Sequence, residues 1–330
     1  MHSTTPPPTP SPTPSPTPPT IPGFAYHRIP VAPGVSLNVA VGGSGGTPVV
    51  LLHGFPQTHL MWRHVATDLA ADHTVICPDL RGYGASDKPA EAAELAETDA
   101  GLLYSKRTMA ADIVTLARVL GHDRFALVGH DRGALVAVRA GLDHPDTITH
   151  LASLDVLPTL DMWDVLHGTT AAVGFHLYLM AQPPGLPEQL IGAAPDAFFG
   201  HFLDQWAHRT ESTDPETQDP SATAIPDDIR AAYLKACREA VPSIVADYRA
   251  SAGIDVVHDL ADRESGNRLR MPVTVLQQDW GAALGFDAAA RWAAWATDLR
   301  HSTVSCGHFM AEEAPAEVTK AVRDLLTRTG

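Results

Sequence analysis

Apolar residues along this chain form two kinds of pattern. Short apolar runs, some of them interrupted by one or two polar residues, predict strands at residues 35–41, 49–52, 74–77, 125–128, 148–154 and 273–276. Apolar residues at helical spacing predict helices over residues 62–71, 106–120 and 134–140. Because strands and helices alternate, we predict a parallel, doubly wound sheet with helices on both faces. We expect residues 35–41 to form an edge strand that enters a hairpin turn in the glycine-rich loop 42–46.

The regular alternation stops after residue 157. Aromatic-, His- and Pro-rich helical segments then follow, until a strand-like run resumes the earlier pattern. This order predicts a helical cap, residues 158–266, inserted between two parts of one α/β core, residues 23–157 and 267–330.

Composition narrows the class of protein. Residues 1–22 are rich in Pro, Thr and Ser but lack the basic and apolar segments of a signal peptide, so we predict a disordered tail. A net charge of −15 argues against binding to nucleic acid or to anionic membranes. The three cysteines have no disulfide or zinc spacing, which favours a cytoplasmic protein. We expect a small-molecule substrate and water as partners, leave a homodimer open, and predict no metal and no cofactor.

The most informative motif surrounds Asp131. Gly129 and Gly133 flank it between the strand at 125–128 and the following helix, which is the context of a G-x-S-x-G elbow with Asp at the serine position. A carboxylate in that position can attack carbon and become an ester. The alternative is an aspartate that only caps the helix.

Partners for Asp131 follow in the chain order of an α/β-hydrolase triad, which is nucleophile, acid, histidine. Asp155 ends the predicted strand at 148–154, and His308 lies near the C-terminus. We predict that Asp155 orients His308 and stabilises its charged form. Separately, each could be a turn former or a surface residue, and Asp279 is the alternative orienting acid.

The strand at 49–52 leads into His53-Gly54-Phe55. In such a fold the loop after this strand and the residue after the nucleophile supply the backbone N–H groups of an oxyanion hole. We assign those N–H groups to Phe55 and Arg132. A plain glycine turn is the alternative for the first of these segments.

With these motifs in order, the chain resembles the fluoroacetate dehalogenases (haloacetate dehalogenases) of the α/β-hydrolase superfamily, from about residue 24 to residue 326. The stretches that carry the resemblance are HGFPQT (53–58), YSKRTMA (104–110), GHDRG (129–133), LDVLPT (154–159), QP (182–183), DYRA (247–250) and GHFMAEE (307–313). The resemblance implies an α/β-hydrolase fold with a helical cap. It also implies that Asp131 displaces halide to form an alkyl-aspartyl ester, which water activated by His308 then hydrolyses.

The resemblance further implies residues that bind the substrate. Arg132 matches an arginine that binds the substrate carboxylate, His176 and Tyr248 match groups that bind the leaving halide, and Trp206 matches a cap tryptophan over the site. Each has a structural alternative: Arg132 could pair with a nearby acid, and the three aromatic side chains could simply pack in the cap.

Two positions depart from the family pattern. Leu135 stands where a second carboxylate-binding arginine is expected, and Leu177 stands where a halide-binding tryptophan is expected. Both changes remove a hydrogen-bond donor, so we predict that chloride and bromide are displaced in preference to fluoride and that the substrate is more apolar.

Two other functions remain open. An epoxide hydrolase shares the Asp nucleophile and uses cap tyrosines, for which Tyr248 and Tyr178 are candidates. A catalytically idle receptor for a small ligand is the other. Halide release, diol formation, or ligand-induced stabilisation without turnover distinguishes the three.

Overall fold

The computed structural model describes residues 18–89, 102–207 and 224–329, and within them eight strands form one sheet in the order β1-β2-β4-β3-β5-β6-β7-β8. The strands are β1 (Ala25–Ala32), β2 (Val35–Gly42), β3 (Val49–Leu52), β4 (Val75–Pro78), β5 (Phe125–His130), β6 (Ile148–Leu154), β7 (Leu269–Gln277) and β8 (Ala296–Thr303). β1 and β2 are antiparallel to their neighbours, and all pairs from β4 to β8 are parallel. The predicted doubly wound, mostly parallel sheet is therefore confirmed.

The central strands are buried on both faces because alternate residues point to opposite sides of the sheet. Val50 and Leu52 of β3 belong to one apolar cluster, with the helices at 106–119 and 132–143. Val49 and Leu51 belong to the other, with the helices at 63–69 and 315–326. This two-sided burial explains why the central strands have apolar residues at consecutive positions in the sequence.

Helices cover the sheet and form the segment between β6 and β7. Those of the core are α1 (Arg63–Leu69), α2 (Lys106–Val119), α3 (Arg132–Asp143), α11 (Trp280–Leu284), α12 (Ala288–Ala293), α13 (Met310–Glu313) and α14 (Pro315–Leu326). Those between β6 and β7 are α4 (Thr159–Val165), α5 (Phe175–Met180), α6 (Leu186–Ala193), α7 (Pro195–Gln205), α8 (Asp227–Arg238), α9 (Val241–Ala252) and α10 (Ile254–Ser265). Gly266 ends α10 in the left-handed conformation, φ 70°, which glycine adopts without strain. The cap boundaries at 158 and 266 stay a prediction.

The strand prediction from the sequence was wrong at one edge of the sheet. β2 is not an edge strand, because it lies between β1 and β4, and residues 42–46 are not a hairpin turn, because β2 and β3 are not paired. β1 and β8 were missed because most of their residues are exposed or only partly buried, so neither has a continuous apolar run.

Residues 1–17 of the predicted tail lie outside the described residues. Ile21, which the prediction placed in the tail, is buried, and its N–H donates to the hydroxyl of Tyr26 at 2.8 Å. Across the described segments, helices with the length and apolar character to cross a membrane are absent.

Candidate active site

Asp131 lies on a tight turn between β5 and α3. Its backbone has φ 47° and ψ −116°, a sparsely populated conformation that costs roughly 1–3 kcal/mol and recurs at functional sites. The flanking glycines permit close contact: a Cβ on Gly129 would lie 2.4 Å from the carbonyl oxygen of Gly133, and one on Gly133 would lie 2.4 Å from that of Leu52. The Asp131 side chain makes no capping hydrogen bond to α3. The turn therefore presents the carboxylate at the sheet edge, and the helix-cap interpretation is not supported.

His308 lies between the two carboxylates that the sequence paired with it. Its Nδ1 is 2.7 Å from Oδ2 of Asp155, and its Nε2 is 3.9 Å from Oδ2 of Asp131. Nε2 is buried and has no hydrogen-bond partner among the described residues. One ring nitrogen is thus held by a carboxylate while the other faces Asp131.

Asp155 follows β6 and is held in turn by the residue after β7. The backbone N–H of Gln278 donates to Oδ1 of Asp155 at 3.0 Å, and its side-chain amide donates to Oδ2 at 2.8 Å. Asp279, the alternative acid, is exposed. The geometry therefore pairs His308 with Asp155.

The loop after β3 contacts one oxygen of Asp131. The backbone N–H of Phe55 donates to Oδ1 at 2.7 Å. Arg132 is the first residue of α3, where N–H groups have no partner within the helix. The Phe55 N–H thus contacts Asp131, whereas the assignment of the Arg132 N–H to an oxyanion hole stays a prediction, and Oδ2 of Asp131 lies on the side of His308.

Two carboxylates determine the charge state of His308. Burial lowers the pKa of its imidazole, but the hydrogen bond and charge of Asp155 and the charge of Asp131 outweigh burial, so the pKa lies above its usual value. Esterification of Asp131 would remove one of these charges. The pKa of His308 should therefore fall once the ester forms, which favours the neutral imidazole that a general base requires.

This coupling predicts a specific pH dependence. Hydrolysis of a preformed ester should slow as pH falls, because protonated His308 cannot accept a proton from water. The apparent pKa in the pH profile of ester hydrolysis should lie below the pKa of His308 in the free enzyme. Single-turnover ester hydrolysis, followed by quenched mass spectrometry across pH, gives the first value and NMR titration of His308 gives the second. Equal values would show that Asp131 and His308 are not coupled.

Arg132 is engaged in a buried ion pair, so the carboxylate-binding role that the resemblance implied stays a prediction. Its Nε and Nη2 donate to the two carboxylate oxygens of Asp247, each at 2.9 Å, and Nη2 also donates to Ser251 Oγ at 2.6 Å. The guanidinium lies 4.1 Å from the ring centroid of Tyr248. Among the described residues none accepts a hydrogen bond from Nη1. The bidentate face of Arg132 is therefore occupied by Asp247, as in the alternative considered for this residue.

The Arg132–Asp247 pair is fixed within a larger buried network. Asp247 also accepts hydrogen bonds from Lys106 Nζ and from Tyr83 Oη, and Lys106 contacts Asp255. Burial would raise the pKa of Asp247, but Arg132 and Lys106 hold it below its usual range. Removing one partner of such a buried pair costs about 3–5 kcal/mol. A substrate carboxylate would therefore have to displace Asp247 before it could form a bidentate pair with this guanidinium.

A cavity of about 330 Å³ lies between Asp131 and the helices that follow β6. All the predicted substrate-binding residues line it. They are Arg132, Leu135, His176, Leu177, Trp206 and Tyr248, which lie together with Asp131, Asp155, Gln278 and His308. The remaining lining residues are Val156, Met162, Leu166, Val173, Gly174, Ala283 and Leu284, so much of the wall is apolar.

Two uncharged polar side chains and one indole ring line the cavity together with Asp131. Nδ1 of His176 and Oη of Tyr248 are buried without a hydrogen-bond partner among the described residues. Burial lowers the pKa of His176 to about 3 and raises that of Tyr248, so both are uncharged near neutral pH. The ring of Trp206 lies 4.9 Å from that of His308. Tyr178 is not among the residues that line this cavity, and its hydroxyl donates to the Leu166 carbonyl.

Sequence reasoning did not assign roles to Gln278, Asp247 or Lys106. Gln278 directly follows β7, and polar residues at that edge of a parallel sheet are candidates for a site. Asp247 and Lys106 lie in motifs that carried the resemblance, but nothing local indicates that they meet, because 141 residues separate them. In the described residues no group of three or more His, Cys, Asp or Glu side chains could hold a metal ion.

Comparisons with known proteins agree with this fold. The family model described as alpha/beta hydrolase fold matches residues 47–315, so the chain belongs to that family. A fluoroacetate dehalogenase from Burkholderia sp is 37% identical over 297 residues, covering 89% of this chain and 91% of the relative. The chain is thus a member of the fluoroacetate dehalogenase group of these hydrolases, and the predicted resemblance is confirmed.

Two further relatives extend the comparison. A soluble epoxide hydrolase from Corynebacterium sp. (strain C12) is 29% identical over 300 residues, covering 88% of this chain and 93% of the relative. The crystal structure of a protein from Nostoc sp PCC 7120 has a TM-score of 0.83 and 36% identity, covering 94% of this chain and 100% of that one. The protein is a hydrolase of the α/β-hydrolase type.

Proposed function

We propose that this enzyme removes halogen from small organic compounds by hydrolysis, through an ester on Asp131. The observation that carries the proposal is the arrangement of the Asp131 carboxylate: Oδ1 accepts from the Phe55 N–H at 2.7 Å, and Oδ2 faces His308 Nε2 at 3.9 Å. One oxygen is thus held, and the other is available to attack.

In the first step Oδ2 of Asp131 attacks the carbon that bears the halogen. The new C–O bond forms as the C–X bond breaks, and the electron pair leaves with the halide. His176 Nδ1 and Tyr248 Oη, which lack partners among the described residues, supply donors for the leaving halide. The products of this step are an alkyl-aspartyl ester and free halide.

In the second step His308 Nε2 takes a proton from water, and the resulting hydroxide attacks the carboxyl carbon of Asp131. The N–H groups of Phe55 and Arg132 stabilise the oxyanion that develops on Oδ1. Collapse of the tetrahedral intermediate expels an alkoxide, which takes the first water proton back from His308 and leaves as an alcohol. The second water proton leaves to solvent through His308, and Asp131 is regenerated as a carboxylate.

Leu177 is expected to set the halogen preference. It lies beside His176 in the cavity wall and offers no N–H group to a leaving halide. Losing one preorganised donor to transition-state charge costs roughly 2.7–4 kcal/mol, or 10²–10³ in rate. Fluoride is the poorest leaving group and depends most on such donors. We therefore expect turnover of bromoacetate and chloroacetate well above that of fluoroacetate, measured as halide released per enzyme.

The variant Leu177→Trp tests the cause of that preference. It adds one indole N–H beside His176 and should raise fluoride release more than bromide release. Leu177→Phe is the matched control, because it adds a ring without a donor and should leave the halogen ratio close to that of the unmodified enzyme. Efficient fluoroacetate hydrolysis by the unmodified enzyme would contradict this role of Leu177.

Epoxide hydrolysis is the second candidate function. Its support is the unpartnered Tyr248 hydroxyl in the cavity, which could donate to an epoxide oxygen, together with the epoxide hydrolase relative. The other proposed tyrosine, Tyr178, is not among the residues that line the cavity, and its hydroxyl donates to Leu166. Diol formation from small epoxides, without halide release from any halogenated compound, would favour this candidate.

A further inference from the structure

The charges around the cavity are already balanced without a substrate. Of the described residues that line it, Arg132 is the only permanent cation. Arg132 and Lys106 are neutralised by Asp247 and Asp255, so this buried network has two positive and two negative members. An anionic substrate would add a charge that no spare cation compensates.

The carboxylates of the site further disfavour the binding of an anionic substrate. Asp131 lines the cavity as a carboxylate, and Asp155 lies behind His308. A substrate carboxylate would therefore approach a carboxylate nucleophile, with only the single Nη1 group of Arg132 as a charged donor. Burying an incompletely paired charge is costly.

The wall beside Arg132 is apolar. Leu135 lies one helical turn after Arg132 on α3 and packs with Val156 and Met162 in a small apolar cluster that faces the cavity. The apolar wall continues through Leu166, Leu177 and Leu284.

The volume of the cavity favours a substrate larger than a haloacetate. About 330 Å³ is at the lower end of the range of roughly 300–1,000 Å³ that holds drug-sized ligands. The cavity reaches the surface beside Val173, which is 53% exposed and also lines it. A two-carbon haloacid would leave much of this apolar space unfilled.

We propose, building on the dehalogenation proposed above, that the substrate is an uncharged, mainly apolar halogenated compound larger than a haloacetate. Its halogen-bearing carbon lies against Asp131, and its apolar remainder packs on the wall formed by Leu135, Val156 and Met162. The absence of charge on the substrate is inferred from the balanced charges of the buried network, and its size is inferred from the volume of the cavity.

Bromoacetate and bromoacetamide provide a matched test, because both carry a bromomethyl carbon next to a carbonyl and differ mainly in charge. Bromide release is measured as kcat/KM, with the Asp131→Ala variant subtracted as the background for uncatalysed alkylation. We expect kcat/KM for bromoacetamide to exceed that for bromoacetate by about tenfold or more, since burying an incompletely paired charge is costly. Equal values of kcat/KM, or a higher value for bromoacetate, would overturn the proposal that the substrate is uncharged. Turnover of 1-bromohexane is also expected, and its absence would overturn the size assignment.

The variant Leu135→Arg tests the position that sets this preference. It should lower KM for bromoacetate and reduce the ratio between the two substrates, whereas Leu135→Met, which changes shape without charge, should keep the ratio. If Leu135→Arg does not fold, the comparison of substrates with the unmodified enzyme still decides the proposal. Absence of Asp131-dependent bromide release from all three compounds would instead reject dehalogenation itself.

Discussion

Replacing His308 with alanine is expected to trap the substrate on Asp131 as a stable ester. The first step needs the carboxylate and the halide-binding groups, and none of these is removed. The second step needs a base to activate water, and His308 Nε2 is the unpartnered nitrogen 3.9 Å from Asp131 Oδ2. After incubation with bromoacetamide or bromoacetate, intact-protein mass spectrometry should show an added mass equal to the reagent less hydrogen bromide.

The site of the added mass decides between enzymatic and incidental alkylation. Peptide mapping should locate it on Asp131. Cys306 lies two residues from His308 and is half-buried, but burial raises the pKa of its thiol to about 12, so little reactive thiolate is present near neutral pH. The double variant Asp131→Ala/His308→Ala is the matched control and should lose the adduct. Mass located elsewhere, or present in both variants, would reject Asp131 as the nucleophile.

The unmodified enzyme should release one halide per turnover continuously, whereas His308→Ala should release only one halide per active site. This stoichiometric burst separates a block in ester hydrolysis from a general loss of structure. A misfolded variant would show neither burst nor adduct.

The catalytic geometry was largely predictable from sequence because it is local. Asp131 sits on a turn whose glycines are demanded by close backbone contacts, and Asp155 follows directly after a strand that is buried on both faces. In a parallel sheet these strand ends meet at one edge, so motif order alone brought the residues together. The exposed strands β1 and β8 lacked such a signal.

The environment of Arg132 could not be predicted in the same way. Whether its guanidinium is free or paired depends on where α9 lies over α3, and this places Asp247 within 2.9 Å across 115 residues of sequence. The contact of Leu135 with Val156 and Met162 likewise depends on packing between separate elements. Sequence could identify the departures from the family pattern, but only the packing shows which side chains surround the two leucines.

Replacing Asp155 with asparagine is expected to slow ester hydrolysis by up to about 10⁴-fold, the loss seen when the triad carboxylate of a serine protease is made neutral. Oδ2 of Asp155 lies 2.7 Å from His308 Nδ1 and also accepts from the Gln278 amide. The variant keeps the shape but removes the charge that stabilises protonated His308 and the acceptor that selects its tautomer. Alkylation of Asp131 should be affected much less, because that step transfers no proton to His308.

Pre-steady-state halide release separates these two effects. Asp155→Asn should give a burst close to one halide per active site, followed by a slow phase limited by ester hydrolysis. Asp279→Asn is the matched control, since it makes the same chemical change on an exposed neighbour of Gln278, and its slow phase should equal that of the unmodified enzyme. Nearly full activity of Asp155→Asn together with loss in Asp279→Asn would reassign the orienting acid. Loss of both burst and slow phase in Asp155→Asn would instead mean that its charge supports attack by Asp131, a role that the geometry of the site does not assign to it.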